Sequence, residues 1–224
     1  MIVFLLGLAV LIMMAVAAHS LAYFPGDITV SHAAQAYQSA WLDTFLSGVS
    51  WLGFPPQSDV LFGLIVVTLF ALGARWAAMT EAIAAMGSGG LYLLLQLVVA
   101  QPRPTADLVR VAGPVQLTSF PSGHLATFTA VFGLLAYLGF RRLQSSPARW
   151  VPVVATAVFL ALMGFARLYS GQHWASDILA GCLLGALWLV AVIRIYVWGQ
   201  GRHWPMRVGA PRMLRWPRLH GPAA

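Results

Sequence analysis

Six apolar stretches, each long enough to cross a bilayer, make up most of this 224-residue chain. A transmembrane helix needs about 20 mainly apolar residues. The stretches lie at approximately residues 1–24, 59–79, 82–100, 123–140, 150–168 and 175–199. The sequence therefore predicts an all-α polytopic membrane protein with six transmembrane helices in one domain, residues 1–199. The first stretch also resembles a secretory signal peptide, because residues 15–20 read Ala-Val-Ala-Ala-His-Ser.

The composition excludes several other classes of protein. Hydrophobic residues form 60% of the chain and charged residues only 8%, whereas a soluble domain is about one quarter charged. That balance argues against a cytosolic domain, a disordered regulator and a nucleic-acid-binding protein. The single cysteine, Cys182, excludes an internal disulfide and a multi-cysteine metal site.

The arginines indicate how the spans are oriented. All 13 basic residues are Arg. Three of them, Arg103, Arg110 and Arg167, lie in the odd-numbered connections, and the other ten lie in the even-numbered connections and the tail. Because Lys and Arg accumulate on the cytoplasmic side, this distribution predicts cytoplasmic termini and odd-numbered connections that face outward.

Two segments outside the spans have their own patterns. Between residues 25 and 58, apolar side chains recur at helical spacing: Trp41, Leu42, Phe45, Leu46, Val49 and Leu52. This spacing fits an extracytoplasmic amphipathic helix in the membrane interface, and it fits a packed periplasmic cap equally well. Residues 200–224 are rich in Arg, Trp, Pro and Gly, which predicts a basic cytoplasmic tail held near anionic lipid.

Polar residues gather at three helix edges, all on the predicted outer side. The first edge runs from Gln96 to Pro104, and there Pro102 and Pro104 stiffen the backbone on either side of Arg103. The second edge, residues 121–124, opens the fourth span. In it Ser122 suits an N-cap, and the helix N-terminus suits an anion.

The third edge, residues 167–177, joins the last two spans. His173 and Asp177 are four residues apart and would share one face of a helix. A carboxylate there accepts the Nδ1 proton of the imidazole and leaves Nε2 free as a nucleophile or base. Arg167 presents a planar donor fork that suits a phosphate. Each edge alone also fits a capped helix end with an interfacial Arg or His, but together they suit an anion that is held and attacked.

At these residues the chain resembles the type 2 phosphatidic acid phosphatase superfamily. Its signature is Lys-x6-Arg-Pro, then Pro-Ser-Gly-His, then Ser-Arg-x5-His-x3-Asp. The second part is complete at residues 121–124, and Arg167, His173 and Asp177 match the third. In the first part, Arg103-Pro104 is present and Gln96 replaces the lysine. Ala166 stands where the family often has Ser.

The resemblance implies a role for each site residue. His173 would be the nucleophile that forms a phosphohistidine, Asp177 would orient it, and His124 would protonate the leaving group. The remaining residues would bind the phosphoryl oxygens: Arg103, Ser122, Gly123, Arg167 and, with donors but without the family's charge, Gln96. The family's phosphatases need no metal, and the sequence offers no acidic cluster for magnesium.

The predicted function is therefore metal-independent hydrolysis of a lipid phosphate or pyrophosphate at the outer face of a bacterial-type cytoplasmic membrane. The resemblance suggests undecaprenyl pyrophosphate, phosphatidylglycerol phosphate or phosphatidic acid as substrate. Two alternatives stay open: a lipid phosphotransferase, and a non-catalytic lipid carrier favoured by Gln96. An intramembrane serine protease built on Ser122 is disfavoured, because no Gly-x-Ser-x-Gly elbow is present. The oligomeric state stays undetermined.

Overall fold

The structure is a computed structural model that describes residues 1–113, 118–143 and 146–201. In these residues the regular structure is entirely helical. The helices are α1 (Ile2–Ser20), α2 (Asp27–Gln35), α3 (Ala40–Trp51), α4 (Gln57–Ala71), α5 (Arg75–Val99), α6 (Gly123–Arg142), α7 (Trp150–Tyr169) and α8 (Ala175–Gly201). A 3₁₀ turn, Pro147–Arg149, precedes α7. The tail predicted at 200–224 lies outside the described residues beyond Gly201.

Five helices are long and apolar enough to cross a membrane: α1, α5, α6, α7 with its preceding 3₁₀ turn, and α8. The chain is thus an integral membrane protein. Helix α4 is apolar but has only 15 residues, which span about 22 Å against a hydrocarbon core of about 30 Å. The predicted count of six spans therefore remains a prediction.

The predicted boundary between the second and third spans is wrong. We expected spans at 59–79 and 82–100, but α4 ends at Ala71 and α5 begins at Arg75. The turn between them contains Gly73 in the left-handed region, with φ of 77°, where glycine is favoured because it has no Cβ. Thr80 and Glu81, which fall between the two expected spans, are buried inside α5 instead.

The core of the bundle is built around α6, which packs against α5, α7 and α8. Its closest neighbour is α8, because two glycines one helical turn apart face it. A Cβ on Gly181 would lie 2.5 Å from the carbonyl oxygen of Ser122, and one on Gly185 would lie 2.4 Å from that of Ala126. Small residues at this spacing let two membrane helices approach closely, and here they bring the start of α6 against the start of α8.

The segment predicted as an interfacial helix forms two helices, α2 and α3. The apolar residues Leu42, Leu46 and Val49 of α3 pack against Ala166 and Tyr169 near the end of α7. On its other side, Trp41 and Phe45 are exposed. One face of α3 is therefore a packed cap, while its place in the membrane interface stays a prediction.

Candidate active site

Four helix ends meet on one side of the bundle: the C-terminal ends of α5 and α7 and the N-terminal ends of α6 and α8. Arg167 lies in the last turn of α7, and Asp177 lies in the first turn of α8. His173 is in the turn between them and not on a helix, contrary to the expected shared helical face. Gly171 closes this turn with φ of 63°, and a Cβ there would lie 2.1 Å from the carbonyl oxygen of Arg110.

His173 and Asp177 are nevertheless paired. The imidazole Nδ1 lies 3.4 Å from Asp177 Oδ2, and both side chains are buried. The other ring nitrogen, Nε2, lies 3.4 Å from Nη1 of Arg103. Because a guanidinium only donates, Nε2 is the unprotonated nitrogen and Nδ1–H points at the carboxylate. The pair therefore has the tautomer that leaves a lone pair on Nε2.

The electrostatic surroundings of His173 favour its neutral form. Burial lowers the pKa of this imidazole well below its ordinary value, and the positive charges of Arg103 and Arg167 lower it further. Burial also lowers the pKa of Arg103, while the Asp177 carboxylate opposes that shift. A neutral imidazole beside two cations is suited to attack an anionic group that those cations hold.

The Asp177 carboxylate has more partners than the sequence indicated. Its Oδ2 accepts hydrogen bonds from the hydroxyl of Ser119 and from the backbone N–H of Trp174, the latter at 2.8 Å. Ser119 is fully buried. The carboxylate is thereby fixed by groups other than the histidine, so its position does not depend on the state of His173.

The two arginines of the site are held by different parts of the chain. Arg103 donates from Nε to the carbonyl oxygen of Thr118 at 2.8 Å and from Nη1 to that of Gln172. Arg167 donates from Nη1 to the hydroxyl of Ser50 at 2.8 Å and from Nη2 to Oε1 of Gln172 at 3.4 Å. Both guanidinium groups are buried, and Gln172 lies between them as a common partner.

The start of α6 leaves polar atoms facing the site. Ser122 occupies the N-cap position, but its hydroxyl makes no capping hydrogen bond. Within the described chain, neither this buried hydroxyl nor Nε2 of His124 has a hydrogen-bond partner. A Cβ on Gly123 would lie 2.7 Å from the ring of Tyr92. The N-terminus of α6 therefore offers donors at a point where only glycine fits.

Gln96 lies at the same place, near the end of α5. Its Nε2 donates to the carbonyl oxygen of Pro121 at 3.3 Å. The amide that stands in the family's lysine position is thus engaged with the backbone just before α6, next to the phosphate-binding residues that the sequence predicts.

A cavity of about 760 Å³ connects these groups. Five of the eight predicted site residues line it, namely Gln96, Arg103, Gly123, His124 and His173. The other three, Ser122, Arg167 and Asp177, are buried next to them. Away from this polar end, the cavity runs between α4 and α5 and is lined by apolar and small residues, among them Phe62, Val66, Ala82, Met86, Gly90 and Leu93.

Sequence reasoning missed four residues that contact the predicted site: Ser50, Phe54, Ser119 and Gln172. The motif spacing does not point to them, because each acts through a contact formed by folding. The only sequence signal is their position: Gln172 directly precedes His173, Ser119 lies two residues before the second motif, and Ser50 lies on the polar side of an amphipathic helix.

Helices α2 and α3 brace the loop that carries His173. Asp27, at the start of α2, accepts from the backbone N–H of Ser176 at 3.0 Å and from its hydroxyl at 2.7 Å. Gln35, at the end of α2, donates to carbonyl oxygens of Arg110 and Tyr169 at 2.8 and 3.1 Å. These buried polar contacts fix the turn between α7 and α8 from outside.

Asp43 of α3 forms a second brace. Its Oδ1 accepts from both terminal nitrogens of Arg110, at 3.1 and 3.0 Å, and from the hydroxyl of Tyr169 at 2.7 Å. The hydrogen bond from Tyr169 is the largest cause that lowers the pKa of this carboxyl, and Arg110 adds to it. The brace ties α3 to the end of α7 and to the loop that follows Arg103.

The chain is similar to proteins of one known family. A model of the PAP2 superfamily matches residues 77–202. Phosphatidylglycerophosphatase B of Bacillus subtilis is 29% identical over 182 residues, which cover 79% of this chain and 86% of that protein. Lipid A 1-phosphatase of Rhizobium johnstonii is 30% identical over 123 residues, covering 52% of this chain and 46% of that protein.

Two solved structures share the fold. The crystal structure of a transmembrane PAP2-type phosphatidylglycerolphosphate phosphatase from Bacillus subtilis superposes with a TM-score of 0.77 at 24% identity, and covers 87% of this chain and 96% of its own. That of LpxE from Aquifex aeolicus superposes with a TM-score of 0.64 at 24% identity, over 76% of this chain and 96% of its own.

Proposed function

Because the chain belongs to the PAP2 superfamily and is a lipid phosphatase, we propose that it hydrolyses a phospholipid phosphomonoester through a phosphohistidine on His173. The observation that carries the proposal is that two imidazoles and Arg103 line the polar end of one cavity whose remainder is apolar. The polar end suits a phosphate group, and the apolar part suits the hydrocarbon of the same molecule.

In the first step, Nε2 of His173 attacks phosphorus and the bond from phosphorus to the lipid oxygen breaks. His124 donates a proton to that departing oxygen, so the lipid leaves as a neutral alcohol. The phosphorylated imidazole gains a positive charge, which the Asp177 carboxylate stabilises at 3.4 Å from Nδ1. Asp177 therefore contributes most after the attack, when the charge has formed.

The phosphoryl oxygens carry the negative charge of the transition state. Arg103 and Arg167 supply positive charge, and Ser122 and the backbone N–H of Gly123 supply donors at the N-terminus of α6. Gln96 adds a neutral donor where a lysine would add a cation. In the second step, His124 takes a proton from water, the water oxygen bonds to phosphorus, and the phosphorus–nitrogen bond breaks to release phosphate.

The apolar part of the cavity supports a lipid substrate with an acyl chain. Its lining on α5 extends from Gln96 to Ala82, which is about 21 Å along the helix. One leaflet of the hydrocarbon core is about 15 Å thick, so a chain lying there runs through the whole outer leaflet. Of the three candidate lipids, we propose phosphatidylglycerol phosphate first, because the relative that matches over 86% of its length is a phosphatidylglycerophosphatase.

We further propose that the site faces the exterior of a bacterial-type cytoplasmic membrane and that both termini are cytoplasmic. The four helix ends of the site lie on one side, as expected for six spans in which α4 completes the crossing. Ten of 13 arginines belong to the opposite side or the tail. Residues 1–199 would be the membrane phosphatase domain and 200–224 a basic tail.

A phosphate-release assay tests this function. The purified protein is given phosphatidylglycerol phosphate, phosphatidic acid and undecaprenyl pyrophosphate with EDTA present, alongside the variant His173→Ala. His32→Ala is the matched control, because His32 is exposed and its Nε2 forms a hydrogen bond with the carbonyl oxygen of Leu108 at 2.8 Å, away from the site. We expect release by the wild type and the control, and none by His173→Ala.

The same assay separates the alternatives. A phosphotransferase would release little phosphate and would label an added acceptor lipid instead. A carrier would move lipid without turnover and would be unaffected by His173→Ala. Phosphate release that persists in His173→Ala refutes the phosphohistidine mechanism directly.

A further inference from the structure

The segment from Ser50 to Phe54, which ends α3 and leads into α4, lies outside the part of the chain that the family model matches, residues 77–202. It also carries none of the three sequence motifs. Yet it contacts two residues of the proposed mechanism, Arg167 and His124, through three different groups. We call this stretch the α3 segment.

Ser50 contacts Arg167 directly. Its hydroxyl accepts from Nη1 of Arg167 at 2.8 Å, and both side chains are buried. Nε2 of His124 has no hydrogen-bond partner in the described chain, so the packing around this end of the imidazole decides where it lies.

Gly53 and Phe54 shape the space around the same side chains. A Cβ on Gly53 would lie 1.9 Å from Cδ2 and 2.6 Å from Nε2 of His124, so the imidazole fits only against a glycine. The ring of Phe54 meets that imidazole edge-on, with centroids 4.8 Å apart. Arg167 lies over the same Phe54 ring, with its Cζ 5.0 Å from the ring centroid. This is a favourable distance for a cation over an aromatic face.

From these contacts we propose that Ser50 and Gly53 are positioning residues of the phosphatase. Ser50 fixes the orientation of the Arg167 guanidinium, and Gly53 fixes the position of the His124 imidazole. The proposal rests on the proposed function. Neither residue is among the groups that bind the phosphoryl oxygens in the proposed mechanism. Arg167 has several rotatable bonds, so a fixed partner on one nitrogen limits where its other donors point. His124 must hold Nε2 within reach of the leaving oxygen to transfer a proton.

Two substrates with different leaving groups separate the two effects. A lipid phosphate expels an alkoxide, which needs a proton from His124, whereas 4-nitrophenyl phosphate expels a stabilised phenolate, which needs none. Gly53→Ala displaces the imidazole, so we expect kcat/KM for the lipid to fall at least tenfold, while kcat/KM for the aryl phosphate, which covers only the steps up to release of the leaving group, falls less than threefold. The pH profile of lipid turnover should also lose the decrease at high pH that reports deprotonation of the acid, His124.

Ser50→Ala removes the contact with Arg167 but leaves Gly53 and Phe54 beside His124 unchanged. We expect both substrates to lose activity equally, about tenfold, and inhibition by vanadate, which mimics the transferred phosphoryl group, to weaken to the same extent. Ser50→Thr restores the hydroxyl and should restore vanadate inhibition. The control is Ser47→Ala, one turn earlier on α3, where the serine is exposed and activity should not change.

The outcomes are distinguishable from loss of fold and from failure of the proposed function. Thermal midpoints in detergent report folding for every variant, and retained turnover in His173→Ala would refute the proposed function instead. Equal loss of both substrates with an unchanged pH profile in Gly53→Ala overturns the role of Gly53. Unchanged vanadate inhibition in Ser50→Ala overturns that of Ser50.

Discussion

Asp177→Asn gives the most direct measure of how His173 is activated. The substitution keeps the size of the side chain and leaves an amide oxygen for the Ser119 and Trp174 donors. It removes the negative charge 3.4 Å from Nδ1 of His173. At an effective dielectric constant of 20, a full charge pair at that separation is worth about 5 kcal/mol.

Not all of that energy is lost, because the amide oxygen still accepts a hydrogen bond from Nδ1. A neutral hydrogen bond is worth about 1–2 kcal/mol less than one to a charged group. The retained hydrogen bond therefore offsets part of the charge-pair energy, and we expect a net loss of about 3–4 kcal/mol. This corresponds to a reduction in kcat of about 10²- to 10³-fold. The loss should appear in kcat and not in KM, because Asp177 contacts the imidazole and not the substrate.

The assay is steady-state phosphate release from the preferred lipid, with Asp107→Asn as the matched control. Asp107 is exposed in the loop that follows Arg103, and its neutralisation should leave both constants unchanged. A loss of less than tenfold in Asp177→Asn, or a loss carried mainly by KM, would mean that the carboxylate does not stabilise a charge developed on His173.

Two further predictions follow from the geometry. Gln96→Lys places a cation beside the phosphate-binding residues and should tighten vanadate inhibition several-fold; unchanged or weaker inhibition would place Gln96 outside the site. Asp43 has a lowered pKa in the folded protein, so its brace stabilises the fold above the ordinary aspartate pKa of about 3.9 and is lost as the pH falls through the lowered value. The thermal midpoint of Asp43→Asn should therefore lie below that of the wild type at pH 7 and approach it below about pH 4, and a difference that is constant with pH would contradict this role.

Local sequence patterns predicted most of the membrane helices and the residues at the helix edges. Runs of apolar side chains specify α1, α6, α7 and α8 because a segment in lipid must satisfy its own backbone hydrogen bonds. The break between α4 and α5 was misplaced because the apolar run continues across it. Gly73 marks the turn, whereas Thr80 and Glu81 are polar residues that helix packing buries.

Motif spacing named the eight candidate residues, but only the tertiary structure showed what surrounds them. The motif spacing predicts the pairing of His173 with Asp177, because the two residues are close in the sequence. The motif spacing does not predict the contact of Ser50 with Arg167, which is 117 residues away, or that of Ser119 with Asp177, which is 58 residues away. Such contacts depend on how α3 packs on α7 and how closely the glycines of α8 let α6 approach. The sequence alone thus determined which chemical groups the site contains, while long-range packing decided where each points and which neighbours hold it, because orientation arises from contacts between segments.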